Sequence, residues 1–284
     1  MMKRYVSYSQ IKTALRCPWK WGLKYLEGWR MREEDYPSAL KIGSAMHELL
    51  ASAYRQQPPI MWGAPTTPLS PEEEKEIDRL IGVCTPSVEE DLADKEVLAT
   101  EWPLQAPVLG KSGRATSFVL IGWVDLIVRG FSGLEVWDHK TSKRMTKDLW
   151  SDFQLPLYAT ALRQQGANVS RVGLNIIKRT KVPEIERVSE LVSQYEQRAW
   201  QRNLYAMCKC IPSENSNRED LAKVITKDCN WDCDFKEICK ADCRGVSGVE
   251  LDRMLDEQFD CSEFVTASFP IDTYKSAIPE EWLA

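Results

Sequence analysis

Apolar positions recur every three to four residues in some stretches of the chain and every second residue in others. "SYSQIKTALRCPWKWGLKYLEGW" has Ser and Thr start signals and helical spacing, which predicts one helix from about Ser9 to about Leu26. "SALKIGSAMHELLASAYRQQ" predicts a second helix, with Ile42, Met46, Leu49 and Leu50 on its apolar face. The Pro-rich stretch "PPIMWGAPTTPLSP" interrupts the pattern, and "PEEEKEIDRLIGVC" restarts a helix with Pro71 at its first position and acids in its first turn. Three strand-like runs follow: "VLATEWPLQAPV", "SFVLIGWVDLIVRG" and "LEVWDHKTS". "KDLWSDFQLPLYATALRQQG" then predicts a helix ended by Gly166 and bent at Pro156. "RVGLNIIKR" reads as a short buried strand, and "EIERVSELVSQYEQRAWQRNLYAMCKC" as one long amphipathic helix. This order predicts an α/β fold, a central mixed sheet with helices before and after it.

Composition narrows the class. A chain of 284 residues, 43% hydrophobic and 28% charged, suits a soluble globular protein of one large domain or one domain with appendages. No apolar run is long enough to span a bilayer, and "MMKRYVSYSQIKTALRC" lacks the apolar stretch of a signal peptide. No membrane partner and a cytoplasmic location are therefore expected. Net charge is −5, but residues 1–32 hold eight Lys or Arg against one acid, while residues 249–284 hold nine acids against two bases. Lys20, Lys24 and Arg30 alternate with Trp19, Trp21 and Trp29, a mixture that suits a phosphate backbone and stacked bases. A solvated helix face balanced by an acidic tail explains the same charges.

Nine cysteines in a cytosolic chain argue against a disulfide framework. Cys229, Cys233, Cys239 and Cys243 cluster in "CNWDCDFKEICKADC", Cys17 stands near the N-terminus, and Cys208 and Cys210 form a C-x-C pair that reads as structural. Clustered thiols point to zinc or an iron–sulfur centre.

The chemistry concentrates in "LIGWVDLIVRGFSGLEVWDHKTSK", which reads as a β-hairpin. Asp138 and Lys140 are two apart and share a strand side, while His139 points away. The hairpin can bring Asp125 beside Asp138. Two converging carboxylates repel unless a cation lies between them, and oxygen donors favour Mg²⁺ or Mn²⁺. A D-x-K triplet alone arises readily by chance, and an ion pair capping a strand explains it equally well.

The ordered set of motifs is more specific. "GSAMHELL", "GWVDLIV", "VWDHKTS" and "QLPLYA" resemble the RecB-like branch of the PD-(D/E)XK nuclease superfamily. Gly43 and His47 match its G-x-x-x-H helix, Gly122 and Asp125 its G-x-x-D strand, Asp138, Lys140 and Thr141 its (D/E)-x-K strand, and Gln154 and Tyr158 its Q-x-x-x-Y helix. The resemblance covers about residues 9–243. It implies a restriction-endonuclease-like core at about residues 39–210, a single nuclease domain over residues 1–245, and an acidic tail over residues 246–284. It also implies a metal-dependent nuclease hydrolysing DNA phosphodiester bonds, an exonuclease on single strands or duplex ends in recombination, repair or replication.

By the same resemblance Asp125, Asp138, the His139 backbone carbonyl and His47 are metal ligands, whereas a lone helix histidine is more often a packing residue. Lys140 positions or deprotonates the attacking water, and Gln154 and Tyr158 orient Lys140 or the phosphate. Glu101 is an accessory acid. Iron–sulfur members of this branch hold a four-iron four-sulfur cluster with one N-terminal and three C-terminal cysteines, which implies Cys17, Cys229, Cys233 and Cys239 as ligands. The first C-terminal gap is x3 where the family has x2, and Cys243 is a further candidate. The expected partners are DNA and a separate helicase or recombination protein, since no G-x-x-x-x-G-K-[ST] motif occurs. The competing readings are a non-catalytic nucleic-acid-binding subunit and a zinc-stabilised interaction module.

Overall fold

The computed structural model describes residues 3–57, 68–143, 149, 153–261, 275 and 277–283. Most of the Pro-rich stretch and the first residues of the helix expected from Lys147 lie outside them.

The chain begins with β1 (Arg4–Ser7), α1 (Tyr8–Arg16), α2 (Pro18–Trp21), β2 (Trp29–Met31), α3 (Ser38–Arg55) and α4 (Pro71–Asp94). The central segment is β3 (Glu96–Leu109), β4 (Ala115–Gly130), β5 (Gly133–Ser142), α5 (Gln154–Gln164), β6 (Val169–Lys178), β7 (Glu184–Leu191) and α6 (Gln194–Lys209). After it come α7 (Lys236–Cys243), α8 (Gly248–Gln258) and β8 (Phe259–Cys261).

The sheet is mixed, as expected. β3 runs antiparallel along most of β4, and β5 pairs antiparallel with only the second half of β4, from Leu126↔Trp137 to Gly130↔Gly133. β1 pairs parallel with the first half, from Arg4↔Phe118 to Ser7↔Ile121. Because β3 occupies one side of β4, β1 and β5 share the other and leave a gap between them. β5 continues parallel to β6 through the α5 crossover, and β7 adds antiparallel to β6.

Apolar side chains fill both faces. Val124, Ile127, Val136, Leu174 and Ile176 pack with Leu157, Ala161 and Leu204 of α5 and α6. Leu126, Val128, Trp137 and Ile177 pack with Ile42, Met46, Leu80 and Val88 of α3 and α4. A third core, Trp19, Leu23, Phe235, Ile238, Leu251 and Leu255, joins the two ends of the chain, and β2 pairs with β8 beside it.

Three elements differ from the periodicity. The first helix breaks at Cys17, which is extended (φ −157, ψ 103) because Pro18 disfavours helical backbone in the residue before it. Helix resumes at Pro18 and ends in a π-helical turn over Gly22–Leu26. The long helix expected from Glu184 divides into β7 and α6. Ser193 starts α6 with a capping box, its hydroxyl accepting from the Glu196 N–H. The acidic tail is folded where it is described: α8 packs into the third core, and Ile278 and Trp282 enter the main one. Trp282 lies 4.7 Å from the Trp102 ring, and Lys275 bridges to Leu104 on β3. Among the described residues no helix is long and apolar enough to cross a membrane.

Candidate active site

The β4–β5 ladder stops at Leu126↔Trp137, one residue short of Asp125 and Asp138. Both carboxylates therefore stand in the fork where β5 leaves β4, and they are only 7% and 3% exposed. Asp125 Oδ2 accepts the His139 backbone N–H at 2.7 Å, so the two strands stay joined by a side chain where the ladder ends. Lys140 Nζ lies 2.8 Å from Asp138 Oδ2 and donates to Gln154 Oε1 at 3.0 Å. Gln154 opens α5, which places the lysine between the sheet and the helix start.

Two glycines permit the close packing. A Cβ on Gly43 would lie 3.3 Å from Thr141 Oγ1, so α3 approaches β5 closely and carries His47 to the fork one turn later. A Cβ on Gly122 would lie 2.4 Å from the Tyr158 hydroxyl oxygen, so the tyrosine lies directly over β4. Tyr158 is buried, and its ring cannot move without disturbing the core. Gly122→Ala is expected to cost about 1–3 kcal/mol in urea unfolding, the usual range for overpacking. An unchanged midpoint would mean that Tyr158 turns aside freely.

His47 Nδ1 lies 3.4 Å from Asp125 Oδ2 and 3.6 Å from Glu101 Oε1. Among the described residues, ligand atoms of His47, Glu101 and Asp125 come within 4.8 Å of one another. Glu101, expected as an accessory acid, thus lies nearly as close to the imidazole as Asp125 does. Its backbone is left-handed (φ 48) where the β3–β4 register passes from Thr100 to Trp102, a costly conformation for a side-chain-bearing residue. No local sequence signal marks that twist.

Burial and mutual charge set the protonation of these groups. Burial raises the Asp125 carboxyl above its ordinary range, opposed chiefly by His47. Burial and then the Asp125 charge raise Asp138, opposed by Lys140. Burial pulls His47 down, but Asp125, Glu101 and Asp138 outweigh it and lift its pKa to about 9. Glu101 Oε1 is buried without a hydrogen-bond partner. Crowded carboxylates, an imidazole and an orphaned oxygen fit a hard divalent cation.

Cys17, Cys229, Cys233, Cys239 and Cys243 line a second cavity of about 230 Å³, together with Arg16, Lys20, Lys236 and Lys240. Cys17, Cys229, Cys233 and Cys239 are half-buried, whereas Cys243 is exposed. Backbone N–H groups of Lys20 and Thr226 donate to the sulfurs of Cys17 and Cys229 at 3.5 and 3.4 Å. Burial, reinforced by Cys243, pushes the Cys239 thiol up to about 12. Five sulfurs facing one cavity are a donor set that fits a soft metal or a metal cluster. Cys208 and Cys210 lie apart, at the end of α6.

The basic N-terminus is partly neutralised within the molecule. Lys20 Nζ lies 3.4 Å from Asp234 and donates to the Asp232 carbonyl, and Arg16 pairs with Asp228 and Asp232. Lys24 and Arg30 are exposed.

No match was found among curated proteins. A solved structure from Eubacterium rectale, described as that of a candidate exonuclease, is 13% identical over 81% of this chain and 88% of its own, with a TM-score of 0.49. The structure of SSO0001 is 15% identical over 85% of this chain and 88% of its own, with a TM-score of 0.39. The family model of the PD-(D/E)XK nuclease superfamily matches residues 5–240. That match takes in the fork, its acids, Lys140 and the sheet that carries them, and this chain belongs to the PD-(D/E)XK nuclease superfamily.

Proposed function

We propose that the protein is a metal-dependent deoxyribonuclease of the RecB-like branch, an exonuclease acting on single strands or duplex ends in recombination, repair or replication. The observation that carries this reading is the convergence of Asp125, Asp138 and Lys140 with His47 at the fork. Asp125, Asp138, His47 and the His139 carbonyl would hold Mg²⁺ or Mn²⁺, with Glu101 beside them. When bound, such an ion supplies Lewis acidity toward the phosphodiester and lowers the pKa of water. Lys140, held between Asp138 and Gln154, orients the water whose oxygen attacks phosphorus as the P–O bond to the leaving nucleotide breaks. The water proton passes to the surrounding base or solvent, and the leaving oxygen is protonated in turn. Gln154 gives the Lys140 ammonium a second fixed partner besides Asp138, and Tyr158 closes the wall above Gly122.

The second part of the proposal is a four-iron four-sulfur cluster on Cys17, Cys229, Cys233 and Cys239. A cavity of about 230 Å³ is larger than one ion needs. Four half-buried cysteines around a space this large favour a multinuclear cluster over a single zinc ion. Its role is structural, tying the chain ends around the core. Lys24 and Arg30 serve the DNA backbone, with Lys20 contributing only if its pairing with Asp234 gives way. A cytoplasmic location and a separate helicase or recombination partner complete the reading.

One assay tests it: anaerobically purified protein with Mn²⁺ or Mg²⁺, and DNA labelled at either end, linear and circular. Mononucleotide or short products from linear DNA alone are expected. Cutting of circular DNA would overturn the exonuclease assignment, and no cleavage with either ion would overturn the nuclease reading.

A further inference from the structure

Behind the fork, a chain of buried polar groups crosses the sheet. Asp91, near the end of α4, accepts from the Tyr54 hydroxyl at 2.8 Å and from Arg187 Nη2 at 2.7 Å, both on Oδ2, while Lys95 lies 3.1 Å from its Oδ1. A buried carboxylate near a helix C-terminus needs such cationic partners. Arg187, on β7, is also fixed by lying 4.6 Å from the Trp137 ring, and its Nε donates to Asn175 Oδ1 at 3.0 Å. Asn175, on β6, sits beside His139 in the next strand, its Nδ2 3.0 Å from His139 Nδ1. Tyr54 stacks on the His139 ring at 6.0 Å with planes 14° apart.

We infer that Asp91, Arg187 and Asn175 form a positioning relay that locks His139 as the Nε2–H tautomer and, through its peptide N–H, holds the Asp125 carboxylate in the fork. The direction of each bond follows from donor chemistry. A guanidinium only donates, so the Asn175 oxygen must face Arg187 and its NH₂ must face the histidine. His139 Nδ1 is then an acceptor, and the ring proton sits on Nε2. The Nε2 atom is buried without a hydrogen-bond partner. The opposite tautomer would set two N–H groups against each other at Asn175, which is worse than one orphaned donor. The ring is thus held edge-on by Asn175 and face-on by Tyr54. With the ring fixed, the peptide between Asp138 and Lys140 is fixed, and its N–H meets Asp125 at 2.7 Å.

The relay geometry stands without reference to activity; its catalytic consequence rests on the nuclease reading above. Nitrogen NMR of ¹⁵N-histidine-labelled, metal-free protein reads the tautomer directly, because the chain has only His47 and His139. The expected wild-type result is a protonated Nε2 and a bare Nδ1 at His139. A proton on Nδ1 would overturn the relay even if every variant failed to fold. Asn175→Asp keeps the size and the Arg187 contact but replaces the NH₂ donor by an acceptor, so the His139 proton is expected to move to Nδ1. DNA cleavage should then fall about 10–100-fold in kcat with KM little changed, the usual cost of losing an outer partner of a ligand. Arg187→Met, which lets the Asn175 amide turn, should give both tautomers and a smaller fall. A switched tautomer with undiminished cleavage would overturn the positioning role. The expected tautomers in a protein that cleaves no DNA would leave the relay standing and sink the nuclease reading instead.

Discussion

Asp125→Asn, Asp138→Asn and Lys140→Ala are each expected to reduce DNA cleavage by roughly 10³-fold, while the protein stays folded. The three groups occupy one fork and act on the same reacting phosphate, so double variants should fall little further than single ones. Gln154→Ala, which removes the partner at 3.0 Å from Lys140 Nζ, should cost less, about 10-fold. Stability should move the other way. Burial and the Asp125 charge hold the Asp138 carboxyl above its ordinary range, so the folded, ion-free chain binds that proton more tightly than the unfolded one does. The resulting stability is complete below the unfolded pKa of about 4 and is lost as pH rises through the folded value. Ion-free Asp138→Asn should therefore be more stable than wild type above neutral pH in urea melts, although it is inactive. Mn²⁺ affinity should climb with pH, because His47, lifted to about 9, and Asp138 both shed protons to become donors. Full activity of Asp138→Asn, or Mn²⁺ affinity that ignores pH, would remove the fork from the chemistry.

With the proposed cluster on Cys17, Cys229, Cys233 and Cys239, Cys17→Ser is expected to lose the brown colour of the cluster and to loosen the third core while the main sheet survives. A tie between positions 17 and 229 closes a loop of about 200 residues, worth on the order of 5 kcal/mol in loop-closure entropy. The apolar packing of Trp19 and Leu23 on Phe235 and Ile238 remains, as does the β2–β8 pairing, so the loss should be local. Limited proteolysis should then cut first between residues 212 and 247, with the sheet intact. Cys243→Ser should stay brown, because that thiol, though it also lines the cavity, is exposed while the other four are half-buried. A brown, protease-resistant Cys17→Ser protein would mean that the chain ends are joined by apolar contact alone.

The site was more legible in the sequence than the edges of the fold. Asp125 and Asp138 are equidistant from the β4–β5 turn, so the alternation of "GWVDLIVRGFSGLEVWDHK" already brings them opposite each other. Gly43 and Gly122 could be seen as motif positions, but their reason, the approach of Thr141 and Tyr158, exists only in three dimensions. β7 was hidden because "EIERVSELV" satisfies a helical spacing as well as an alternating one, and Ser193 lay inside what read as a single run. β1 is four residues long and gains its strand conformation from β4, which comes more than 100 residues later. Glu101, Asn175 and Arg187 carry no motif, since a left-handed backbone and a buried relay are products of tertiary packing. The pairing of Lys20 with Asp234 shows the same limit for charge: a basic run says nothing about which distant acids fold back on it.

β3 is a strand of 14 residues at the border of the sheet, and among the described residues its outer side bonds with Lys275 at Pro103 and Gln105, accepts from Gln165 Nε2 at the Gln105 carbonyl and seats Trp282 on Trp102. Lys275 and Trp282 follow β3 by about 170 residues, so that part of the border is covered late in synthesis from the N-terminus. Until then the strand offers a template to neighbouring nascent chains. The seating of Trp282 on Trp102 thus ties the sealing of the edge to a segment far from it in sequence, and a chain cut short before residue 275 is expected to be adhesive even though the fork of Asp125 and Asp138 is already assembled.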